Sequence, residues 1–110
     1  RRIGSLPIDF AFCDLAPDED GRAWVRLWGA DGRCAELWVD ARGAPQGAGS
    51  MKPYPYLELY TGDTLAPERR RRGLGTEPMS CPPNAFQSGE GVIRLEPGAS
   101  VTTRWGARLQ

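Results

Sequence analysis

The feature that most constrains this chain is a pair of seven-residue segments, Arg22–Trp28 and Cys34–Asp40, that alternate in polarity on either side of Asp31-Gly32. In the first, Trp24, Arg26 and Trp28 fall on one side, with Val25 and Leu27 on the other. In the second, Ala35, Leu37 and Val39 oppose Glu36 and Trp38. A period of two marks a half-buried strand, and Asp-Gly tolerates the positive φ of a tight turn. The two segments therefore predict an antiparallel ladder with one apolar face. Such a face needs a second layer to cover it. The expected fold class is all-β: an antiparallel β-sandwich, or a piece of one.

The rest of the chain supplies further strands. Ile8–Leu15 opens the series and ends in the acidic turn Pro17–Gly21, where Asp20-Gly21 is another hairpin signal. Tyr56–Thr61, Arg72–Thr76 running into Glu77, Val92–Leu95 and Ser100–Arg108 complete it, the last two linked at Pro97-Gly98. No helix is expected. Residues 41–53, rich in Gly, Ala and Pro, read as a flexible loop and not a boundary, because neither flank could hold a core alone. The 110 residues thus make a single β domain or partial domain, 1–110. A chain of this size buries somewhat over ~60% of its unfolded surface, enough for one core.

Composition narrows the function. Lys+Arg and Asp+Glu both number 14, so the charge balance argues for neither nucleic acid nor a membrane surface as partner. Arg69–Arg72 read as a solvated loop. Cys13, Cys34 and Cys81 are odd in number and lack paired metal-ligand spacing, which suggests a reduced, cytoplasmic setting. No apolar run approaches the ~20 residues of a membrane span. The chain has no histidine, which excludes Ser-His-Asp and Cys-His nucleophiles and histidine acid–base work. Carboxylates, Tyr, Lys and Cys remain, with no metal or cofactor expected.

Glu77 stands out among them because Pro78 follows it. A proline biases its predecessor toward extended backbone, and without an N–H it ends a strand or lies at an edge. Glu77 is therefore a fixed carboxylate at the mouth of a sheet, under the Pro-rich segment Met79–Pro83. The stretch Gly75–Phe86 resembles the C-terminal part of aldose 1-epimerases (galactose mutarotase-like proteins), whose catalytic glutamate precedes a Pro-Asp or Pro-Asn pair. Pro83-Asn84 takes that place here. Leu59-Tyr60-Thr61-Gly62-Asp63 resembles the family's Tyr-Thr-Gly-Asn element, Ile8-Asp9-Phe10-Ala11-Phe12 its Asp-His-x-Phe element, and Leu95-Glu96-Pro97-Gly98 its last turn.

The resemblance implies the C-terminal part of a mutarotase-like supersandwich that interconverts the α and β anomers of a free aldohexose without a cofactor. Glu77 would be the base and Asp9 a ligand for sugar hydroxyls, although Asp9 also reads as a strand-end residue. Phe10 stands where the family commonly has His. Asn84 would bond substrate or hold its own loop. Among the aromatic residues, Tyr54 and Tyr56 are favoured to stack on a sugar, and most of the others are expected in the core. The family's general acid is a histidine in an N-terminal part that these residues do not include. A complementary chain supplying that half, or a homo-oligomer, is then the expected partner. Two other readings stand beside the enzyme: a non-catalytic carbohydrate-binding sandwich, and a half-domain that pairs with another chain.

Overall fold

Among the described residues, six strands and one short helix follow in the order β1 (Asp9–Phe12), β2 (Arg22–Trp28), β3 (Cys34–Asp40), β4 (Tyr56–Tyr60), β5 (Gly75–Met79), α1 (Ala85–Ser88) and β6 (Trp105–Leu109). The computed structural model describes residues 2–42 and 54–110; the expected loop at 41–53 lies outside them from residue 43 onward. The strands form two antiparallel three-stranded sheets, ordered β1-β4-β5 and β2-β3-β6. The chain is thus an all-β sandwich.

The β2–β3 ladder has the bounds that its alternation predicts. Its register sets Val25 against Leu37 and Ala23 against Val39 on one face, and Trp24 against Trp38 and Arg26 against Glu36 on the other. Gly32 has φ 82°, the left-handed conformation that the turn demands of it. On the apolar face, Ala23, Val39 and Ala41 pack with Leu57 of β4, and Leu15, Val25, Leu37 and Tyr54 surround them. This cluster joins the two sheets. Val39 has no exposed surface, so its burial contributes roughly 1.5–3 kcal/mol. The closure is thin elsewhere. Phe10, Phe12, Trp105 and Leu109 are exposed, and the radius of gyration is 15.9 Å, against about 13 Å for a compact domain of similar length.

The aromatic residues do not fill the core as expected. No tryptophan or tyrosine is fully buried. On the polar face of the β2-β3-β6 sheet, Arg26 and Arg108 lie over the Trp24 ring at 5.1 and 5.4 Å from its centroid, and Arg22 lies over Trp38 at 4.6 Å. The buried Glu36 holds both Arg26 (2.6 Å) and Arg108, and accepts a further bond from Gln110. Cation–π stacking and charge pairing hold the Trp24 and Trp38 indoles on this face, so they need no place between the layers.

Other expectations are corrected. Val92–Leu95 is not a strand, since no ladder partner lies alongside it, and in place of Ser100–Arg108 the last strand is β6, whose ladder with β3 runs over Trp105–Leu109. Ala85–Ser88 forms one helical turn where none was expected, entered through Asn84 in the left-handed conformation (φ 65°). Asp20-Gly21 makes a turn, but β1 pairs with β4 and not with β2, so the turn carries the chain from one sheet to the other. Pro78 lies within β5, at an edge of its sheet, where its missing N–H costs no ladder bond.

Candidate functional site

The β1-β4-β5 sheet gathers acidic side chains by register. Asp9 of β1 pairs with Tyr60 of β4, and Ala11 with Glu58. Across β4, Glu58 pairs with Glu77 and Tyr60 with Gly75. Because side chains alternate, Asp9, Glu58, Tyr60 and Glu77 share one face, while Phe10, Leu57 and Leu59 share the other. The acidic face forms the floor of an open cavity of about 550 Å³, lined also by Thr64, Met79 and Pro83. The Tyr60 hydroxyl is hydrogen-bonded to that of Thr64.

The segment that brings in β1 is held by the loop after β4. Thr61 Oγ1 accepts the Ile8 amide at 2.9 Å, and Thr61 also bonds Asp63. Arg71 donates to Asp63 at 2.8 Å and to the carbonyl oxygens of Gly4 (2.6 Å) and Leu6. The Thr61 hydroxyl, and after it Arg71, hold the Asp63 carboxyl below its ordinary range. The arginine run is therefore not wholly a solvated loop. Arg71 bolts residues 4–6 in place and so sets the position of Asp9 in the next strand.

No lysine or arginine lines the cavity among the described residues. Burial pushes the Glu58 carboxyl above its ordinary pKa, and the charges of Asp9 and Glu77, with a hydrogen bond to Asp9, push it further. Such a group keeps its proton to higher pH than a solvated glutamate. Among the described residues, no group of three or more His, Cys, Asp or Glu side chains is gathered closely enough to hold a metal ion, and no helix is long and apolar enough to cross a membrane.

Of the residues singled out in the sequence, Asp9 and Glu77 line this one cavity. Tyr56 and Asn84 do not. The Tyr56 hydroxyl donates to Glu90 at 3.2 Å. Asn84 lines a neighbouring cavity of about 580 Å³ with Cys81 and Phe86, and its side chain makes no capping bond. Glu58, Tyr60 and Thr64 were missed. The one available signal was the alternation of Tyr56, Glu58 and Tyr60, which sets the three on one side of a strand. It did not say what lay across from them.

In comparison with known proteins, the chain is 41% identical over 66 residues to the "Uncharacterized protein YihR" of Escherichia coli (strain K12). The match covers 57% of this chain and 20% of that protein, so the matched part spans about a fifth of the relative's length. No family model matches the chain, and no solved structure does.

Proposed function

We propose that this chain is an aldose 1-epimerase-like segment of a mutarotase-type sandwich, with Glu77 as the general base that takes the proton of a sugar's anomeric hydroxyl. The observation that carries the reading is the convergence of Asp9 and Glu77, two positions the family resemblance singles out 68 residues apart, on the floor of one open cavity. The partial likeness to YihR supports it without naming a substrate. In this reading Asp9 accepts hydrogen bonds from sugar hydroxyls, work that charge-assisted acceptors do well. Asn84 and Tyr56 would contact substrate only at its margin. The resemblance implies a histidine acid from a complementary segment.

Anomer exchange of a free aldohexose, followed by NMR, tests this. In the complete assembly, with the complementary segment present, Glu77→Gln is expected to lower the exchange rate by ~10²–10⁴-fold with the fold retained. An unchanged rate in that variant sinks the reading. A second reading, a half-sandwich completed by another chain, draws on the exposure of Phe10, Phe12, Trp105 and Leu109. It predicts a stable oligomer indifferent to sugars.

A further inference from the structure

Among the described residues β6 pairs with β3 alone, so its far side is an open sheet edge. The ladder fixes which backbone groups face outward. Gln110 and Cys34 exchange both backbone bonds, at 2.8 and 3.0 Å, and the Asp40 amide donates to the Arg104 carbonyl at 3.0 Å. Hydrogen-bonded pairs alternate along an antiparallel ladder, so Arg104, Gly106, Arg108 and Gln110 turn their amides and carbonyls toward β3. Trp105, Ala107 and Leu109 turn theirs away from it. The side chains of these same residues extend the apolar face of the β2–β3 ladder, across from Val39, Leu37 and Ala35. Trp105 and Leu109 are 54% and 70% exposed. An edge with unpaired backbone groups, apolar side chains and no proline is a template for another strand.

We propose that this edge joins two copies of the chain, β6 against β6, about a two-fold axis at Ala107. The proposal is independent of the anomer-exchange reading, whose cavity lies on the other sheet. A second copy is the occupant because the strand complements itself. Centred on Ala107, antiparallel pairing sets Trp105 against the partner's Leu109, Ala107 against the partner's Ala107, and Leu109 against the partner's Trp105. All of these residues face their backbone groups outward, so each pair exchanges both bonds. Apolar side chains meet apolar ones, the contact that stabilises a ladder. On the other face Arg108 meets the partner's Gly106 and Arg104 meets the partner's Gln110, so no like charges stand opposite each other. Sliding by two residues is the smallest step that keeps outward groups paired. It sets Arg104 against the partner's Arg108 in one direction and Arg108 against the partner's Arg108 in the other. Like charges directly opposite destabilise a ladder. Backbone bonding and charge thus select the same register. Ala107 and Leu109 also line an open apolar cavity of about 530 Å³. The partner's Trp105, beside Leu109 on the same face, brings an indole to its rim. The contact is isologous and joins two three-stranded sheets into one.

Sedimentation of the chain across the micromolar range tests this, together with amide hydrogen exchange. The mass is expected to rise from one chain to two with concentration, while the amides of Trp105, Ala107 and Leu109 gain protection. Ala107→Pro removes an outward N–H and no bond to β3, so it is expected to keep the fold and weaken the dimer at least ~10-fold. A pair of charged variants reads the register. Trp105→Lys and Leu109→Glu chains are each expected to self-associate less tightly than the parent, and more tightly with each other than alone. In the mixed dimer, lysine faces glutamate at one outer pair and the original Trp–Leu contact remains at the other. A chain that stays monomeric throughout overturns the proposal. So does a dimer that Ala107→Pro leaves intact, or charged variants that keep the parent's circular dichroism but do not prefer each other. Protection of the β6 amides at every concentration, or only after the complementary segment is added, gives the edge to another occupant and overturns it too.

Discussion

Gly106 of β6 lies opposite Trp38 of β3, and the two are in closer contact than any side chain at 106 would allow. A Cβ on Gly106 would sit 2.6 Å from Trp38 Nε1, 2.8 Å from Cε2 and 2.9 Å from Cζ2. Ordinary van der Waals separation begins near ~3.5 Å, so an alanine there requires the indole to withdraw by about 1 Å. The ring is not free to do so, because the Arg22 guanidinium lies 4.6 Å from its centroid and Trp24 is its cross-strand partner. Overpacking of this kind costs about 1–3 kcal/mol. The alanine recovers about 0.5–1 kcal/mol of the conformational entropy that a strand glycine loses. Gly106→Ala is therefore expected to destabilise the fold by about 0.5–2 kcal/mol, or to lower Tm by roughly 3–10 °C for a domain of this size. Urea and thermal unfolding, read by circular dichroism and tryptophan emission, measure it. Gly75→Ala is the control. Its nearest contact is Tyr60 Cβ at 3.4 Å, so it is expected within about ±0.5 kcal/mol of the parent. A Gly106→Ala variant as stable as the parent, with unchanged tryptophan emission, refutes the view that the close-packed indole and the bare glycine depend on each other.

Two further outcomes follow from the charged contacts. Hydrogen bonds from Arg108 first and Arg26 second hold the Glu36 carboxyl below its ordinary value of 4.5. A depressed carboxylate adds stability that is present above the unfolded pKa and is lost as pH falls through the folded one. Glu36→Gln should therefore be less stable than the parent at neutral pH and lose less on acidification below about pH 4.5; parallel acid limbs in denaturant melts contradict this. Arg71→Ala removes the donors to Asp63, Gly4 and Leu6. In hydrogen exchange, the amides of Leu6 and Ile8 should lose protection while those of β2 and β3 keep theirs, and equal protection throughout argues against the clamp.

How much of this was legible in the residues depends on how local each cause is. The alternation in Arg22–Trp28 and Cys34–Asp40 and the turn residues between them lie within 19 consecutive positions, so the ladder, its faces and its bounds follow directly. Pro78 is a local signal too: it allowed a strand end or an edge, and β5 runs past it as an edge strand. Val92–Leu95 carries the composition of a strand but has no neighbour to bond, and composition does not reveal neighbours. The tryptophans read as core because their area is large; that arginines would cover Trp24 and Trp38 instead depends on the register of β2, β3 and β6, which links Arg26, Glu36 and Arg108 across three strands.

The candidate site divides in the same way. The residues by themselves determined that a carboxylate at Glu77 is held extended before a proline, and that no histidine of this chain can assist it. Only the tertiary structure decided that Asp9 and Glu77 share a cavity with Glu58 between them. A lone glutamate in an alternating strand looks like any solvated side chain. Its character changes when two more acids are set beside it, and that depends on which strands pair and in what register, a choice made by long-range burial of apolar faces and not by neighbours in the chain.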